Sequence, residues 1–126
     1  AYEYVDTLST AILTRVFNST DYTSDTRVLI AGLPDESEAQ KFNFLFDKSA
    51  YTKNMVFWDG RAGVLGNWKH YLYDYHGVWI GEVDTDEYYD IIDSEAFKEM
   101  PVYPAEGSLE KFDDILVVKL EENPPR

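Results

Sequence analysis

The chain has 126 residues, enough for one domain that buries about two-thirds of its unfolded surface, and 44% hydrophobic content excludes a disordered chain despite 28% charged residues. A formal net charge of −13 repels phosphate backbones and anionic headgroups, which argues against nucleic-acid binding and peripheral membrane attachment. The absence of cysteine excludes a disulfide framework, a thiolate metal site and a thiol nucleophile, and no apolar run reaches the roughly 18 residues that membrane insertion requires.

In chain order, Tyr2 to Asn18 places Val5, Leu8, Ile12 and Val16 at steps of three and four, with Leu13 and Phe17 widening the stripe. That periodicity predicts an amphipathic helix. Ser19 to Asp25 is polar and turn-rich. Arg27 to Gly32 (RVLIAG) reads as a buried strand closed by Gly32 and Pro34. Asp35 to Gln40 is acidic and can start a short helix, and Phe42 to Phe46 is open between strand and helix. Met55 to Trp58 is a short strand candidate stopped by Asp59-Gly60. Gly63 to His76 predicts a helix with Leu65, Trp68, Leu72 and Tyr75 on one face and Gly77 as its stop. Val78 to Ile80 is a third strand candidate.

Asp84 to Met100 predicts one helix, with Tyr88, Ile91, Ile92, Phe97 and Met100 inward and acids in the first turn, where the helix dipole favours them. Pro101, Pro104 and Gly107 forbid any continuation of that helix and make the next segment a loop. Ser108 to Phe112 then forms one arm of a hairpin, Asp113-Asp114 the turn, and Ile115 to Leu120 a central strand buried on both faces. A helix, a buried strand ending in glycine and a terminal strand pair define the expected class. It is α/β, a small mixed sheet with helices packed on it and a C-terminal hairpin or strand pair. No repeat or linker divides the chain, so residues 1–126 read as a single soluble domain. The chain opens on Ala1-Tyr2 and stops at Pro124-Pro125-Arg126, so it is read as an excised C-terminal piece of a larger protein.

Few residues carry a chemical signal. Gly32-Leu33-Pro34 follows a strand where α/β folds place ligands, but a phosphate cradle needs several glycines opening a helix, and a plain turn is the simpler reading. Asp84, Asp86, Glu87 and Asp90 form the densest carboxylate group. The run DTDEYYDIIDSE lacks the bend glycine of a calcium loop and puts tyrosines at ligand-like offsets, which favours a solvated helix face. His70 and His76 are six apart on a predicted helix and cannot share a face as a zinc pair. No catalytic set, metal site or cofactor is expected from these patterns. Trp58, Trp68 and Trp79, with the ten tyrosines, are candidates for stacking on pyranose rings, although such residues are more often core and boundary filler.

Several stretches together resemble the C-terminal soluble region of the bacterial O-antigen-modifying glucosyl transferases, a family of polytopic membrane proteins. They are RVLIAGLP at Arg27 to Pro34, FWDG at Phe57 to Gly60, NWKHYLYDYHG at Asn67 to Gly77, and EYYDIIDSEAFKEMPVYPAEGSLEKFDDILVVKL at Glu87 to Leu120. The last is the most specific, and the pieces fall in order over about three-quarters of the chain. The resemblance implies transmembrane helices N-terminal to Ala1 and a parent enzyme that moves a glucosyl unit from a lipid-phosphate carrier to a cell-surface polysaccharide. It implies catalytic acids in loops between membrane helices, so none of the residues here inherits a catalytic role. The expectation is a non-catalytic accessory domain on the extracytoplasmic face of the bacterial membrane. Its partners would be the parent transmembrane region and a surface glycan, without nucleic acid and without inserting in the membrane itself. A small-ligand α/β enzyme at the end of the Arg27–Gly32 strand and an acidic protein-interaction module are the alternatives.

Overall fold

The computed structural model describes residues 2–33 and 60–126. The predicted pieces at Asp35–Gln40, Phe42–Phe46 and Met55–Trp58, including Trp58 itself, lie outside the described residues. The elements are α1 (Tyr2–Asn18), β1 (Arg27–Ala31), α2 (Gly60–His76), α3 (Thr85–Ile92), α4 (Glu95–Glu99), β2 (Leu109–Phe112) and β3 (Ile115–Lys119). Among the described residues no helix is long and apolar enough to cross a membrane.

The strands form a mixed sheet in the order β1-β3-β2. β3 runs parallel to β1, from Arg27 opposite Ile115 to Ala31 opposite Lys119, and antiparallel to β2, from Leu109 opposite Val118 to Phe112 opposite Ile115. The β2–β3 hairpin turns at Asp113-Asp114, where Asp113 takes φ 55°, a left-handed conformation that a short polar side chain tolerates. The fold is therefore α/β with helices around a small mixed sheet and a C-terminal hairpin.

Alternation along the strands divides the core in two. Val28, Ile30, Leu116 and Val118 pack with Ile12, Leu13 and Val16 of α1 and with Trp68, Tyr71 and Leu72 of α2. Leu29, Ala31, Ile115 and Val117 pack with Val64 and with Tyr88, Ile91, Ile92, Phe97 and Met100 of the α3–α4 side. All five residues of β3 are buried, so both faces of the strand serve as core.

Four local expectations are corrected. On α2 it is Tyr71, not Tyr75, that joins Trp68 and Leu72 inside, while Tyr75 is half exposed. Phe17 of α1 is likewise about half exposed, its ring edge-on to Tyr22 at 5.1 Å. The single helix expected over Asp84–Met100 is two, broken at Asp93-Ser94. Nine residues at about 100° each would put Phe97 on the opposite side of one helix from Tyr88, so an unbroken helix cannot bury both. Ser94 makes the break inexpensive. Its hydroxyl donates to the Ile91 carbonyl at 2.6 Å and accepts from Phe97 N at 3.2 Å as the cap of α4. Val78–Ile80 forms no strand; among the described residues its tie to the sheet is one bond, from Val28 N to Ile80 O at 2.9 Å.

Lys119 ends β3 fully buried. Its ammonium donates to the carbonyls of Phe97 at 2.8 Å and Lys98 at 3.3 Å, lies 4.7 Å from the Phe97 ring centroid, and reaches Glu122 at 3.5 Å. A buried cation is tolerated because it meets the negative end of α4 and an acidic neighbour. We predict that Lys119→Met lowers stability by about 2 kcal/mol, because the carbonyls lose a charged donor and stay buried. Urea denaturation checks this, and an unchanged midpoint would show that the ammonium is dispensable.

Candidate functional site

The site is built where α2 ends and the chain doubles back along it. Gly77 stops the helix in the left-handed region, at φ 67°, with its N–H donating to Tyr73 O at 3.1 Å. Burial changes residue by residue along the returning segment, with Val78 half-buried, Trp79 exposed and Ile80 buried. Ile80 is tied to Val28 and buried, which forces its neighbour Trp79 outward. Trp79 comes to rest edge-on against Tyr73 of the preceding helical turn, with ring centroids 5.8 Å apart and planes at 84°. Each residue is 56% exposed, which is unusual for large rings and leaves an aromatic step at the surface.

Further along, the segment passes over Arg27, the first residue of β1. Gly81 (φ 81°) sits so close that a Cβ there would meet Arg27 Cγ at 2.8 Å, so only glycine lets the arginine stem cross. All five guanidinium N–H groups of Arg27 are used. Nε donates to Asp114 Oδ2 at 2.9 Å, and one terminal nitrogen donates to Glu82 O at 2.9 Å and Glu87 Oε1 at 2.8 Å. The other donates to Glu87 Oε2 at 2.7 Å and Asp114 Oδ1 at 2.8 Å. Glu87 also closes a capping box with Asp84 at the start of α3. The charge-assisted bonds raise the Arg27 pKa and lower those of Glu87 and Asp114 below the usual carboxylate range.

Beside this knot lies a cleft of about 480 Å³, lined by Leu65, Gly66 and Lys69 of α2 on one side and by Glu82, Val83 and Asp84 on the other. Lys69 Nζ meets Glu82 Oε1 across it at 3.1 Å.

The three tryptophans that the sequence singles out have different fates. Trp58 lies outside the described residues. Trp68 is 1% exposed, and its Nε1–H donates to Gly32 O at 2.7 Å, so its faces are covered by core and offer nothing to a ligand. Trp79 is presented to solvent. Its neighbour Tyr73 is the residue sequence reasoning did not single out, although its place four residues after Lys69 on α2 is a signal for a shared face. The Gly32 turn is internally satisfied, with Leu33 N donating to Glu121 Oε2 at 2.9 Å. The acids of the 84–95 run are partly consumed by structure: Asp84 and Glu87 by the cap and Arg27, and Asp93 by Arg126. Among the described residues, no three acidic or histidine side chains converge as a metal-ligand group. No protein-family model, curated protein or solved structure matches the chain.

The Arg27 knot makes a pH prediction. Its carboxylates titrate lower in the folded chain than in the unfolded one, so their contribution is complete above the ordinary glutamate value of 4.5 and is lost as pH falls through their depressed values. Arg27→Met is expected to cost about 1–2 kcal/mol at neutral pH and to flatten the acid-side decline of stability between about pH 5 and pH 2. Thermal unfolding across that range tests it. An acid limb as steep as the wild type's would place the acid-sensitive groups elsewhere.

Proposed function

We propose that this chain is a non-catalytic domain of a membrane glucosyl transferase-like protein, held on the extracytoplasmic side, where it contacts cell-surface polysaccharide. The reading joins two supports. The first is the resemblance centred on Glu87–Leu120. Several charged and polar groups of that stretch are engaged inside the domain. Lys119 caps α4, the Pro104 carbonyl takes a hydrogen bond from Arg15 at 2.8 Å, and Asp114 holds Arg27. The stretch thus works as a frame, in keeping with a domain that is not itself the catalyst.

The second support, and the observation that carries glycan contact, is the exposed Tyr73–Trp79 pair. An aromatic face matches the apolar C–H face of a pyranose ring, and a rigid ring loses little conformational freedom on binding. Trp79 is held from behind by the Gly77 stop and the buried Ile80, so the platform is ordered before any sugar arrives.

Two experiments test the reading. Titration with neutral oligosaccharides, followed by tryptophan fluorescence, is expected to give a response in the millimolar range that Trp79→Ala weakens at least about tenfold, or ~1.4 kcal/mol. A silent wild type at millimolar sugar, or an undiminished response in the variant, would remove glycan contact from this surface. Sequence of the gene upstream of the Ala1 codon is expected to encode several hydrophobic runs of about 20 residues. A start codon or a signal peptide immediately upstream would contradict the membrane-parent reading.

A further inference from the structure

Lys69 and Tyr73 are one turn apart on α2, and their partners come in reverse order on the returning segment, Trp79 beside Tyr73 and Glu82 beside Lys69. The segment therefore runs antiparallel to the helix, and the aromatic step lies one helical turn beyond Lys69, which lines the 480 Å³ cleft, so we take the two together as one groove. From Tyr73 back to Leu65 the groove follows about 12 Å of helix axis, longer than a single pyranose ring.

The chemistry of the cleft selects its occupant. Arg27 has no N–H left for a phosphate or carboxylate. Lys69 keeps two N–H donors beyond its bond to Glu82, and Glu82 and Asp84 each keep one carboxylate oxygen without a donor among the described residues. Glu82, Asp84 and Glu87 outnumber Arg27 and Lys69 around the cleft, so an anionic ligand meets net repulsion. Donors and acceptors side by side over an apolar floor of Leu65 and Val83 suit hydroxyl groups on a sugar ring.

We infer that the groove is a two-unit saccharide site, in which one sugar ring stacks on Tyr73–Trp79 and the next, a neutral hexose, hydrogen-bonds to Lys69, Glu82 and Asp84 in the cleft. This rests on the glycan-contacting reading above and adds to it a direction, a length and a charge preference. A cationic peptide would also meet the net negative charge. It has no use for the aromatic step at the cleft's end, and the test includes it.

Calorimetric titration of the whole chain with malto- and cello-oligosaccharides of one to four units tests the inference. At least one series is expected to bind about tenfold tighter at two units than at one, the worth of one charge-assisted hydrogen bond. Lys69→Met is expected to abolish that gain, and Glu82→Gln to reduce it. Oligogalacturonate of equal length is expected to bind at least about tenfold more weakly than the neutral sugar. An undiminished length gain in both variants would overturn the cleft as a second unit and leave the aromatic platform standing. Tighter binding of oligogalacturonate or tetralysine than of the neutral sugar would overturn the assignment of the occupant. No binding of either neutral series by the wild type would overturn this inference together with the proposed function.

Discussion

Every layer of the domain packs against β3, a strand with no solvent-facing side. Ile115 and Val117 point into one half of the core, Leu116 and Val118 into the other; α1 closes one half, α3 and α4 the other, and α2 contributes to both. A strand in that position must also pair on both edges, and β1 and β2 supply the partners. Because β1 is parallel to β3, the chain has to travel from one end of the sheet back to the other between them. Helices α2, α3 and α4 and the returning segment at 77–84 lie on that path, and the candidate groove with them.

Polar groups near the core are handled by the same strand set. Lys119 closes β3 by meeting the carbonyl end of α4, and Arg27 opens β1 by binding both the cap of α3 and the hairpin turn. The two cations stand at opposite ends of the paired strands β1 and β3 and fasten helices to the sheet. Among the described residues, Arg27, Lys69, Lys119 and Arg126 each meet a carboxylate.

Legibility in the sequence depends on how local each signal is. Ile115–Lys119 and its Asp113-Asp114 turn were legible because a β-branched run without alternation already implies burial on both faces. The charge in that run also carried a message, since a lysine in a two-sided strand has to find carbonyls or a carboxylate. The break at Ser94 was legible in principle, because Tyr88 and Phe97 cannot share a side of one helix, and serine followed by glutamate is a start signal. Tyr71 and Tyr75 were exchangeable on periodicity alone, and only the packing of α2 decides between them. The Arg27 bonds span 60 and 87 residues and have no local trace. Trp79 was visible as a candidate, but its exposure depends on Ile80 facing inward, which is a tertiary fact.

The functional account assigns the surface work to a groove along α2 and leaves the C-terminal stretch as frame. The most direct measurement is a nitrogen–proton NMR map of the chain with a neutral disaccharide. The account predicts that the Trp79 indole and the amides of Lys69, Tyr73 and Glu82 shift together, while the Trp68 indole, bonded to Gly32, stays in place. Shifts centred on the β2–β3 turn or the α3 face, with Trp79 unmoved, would contradict it.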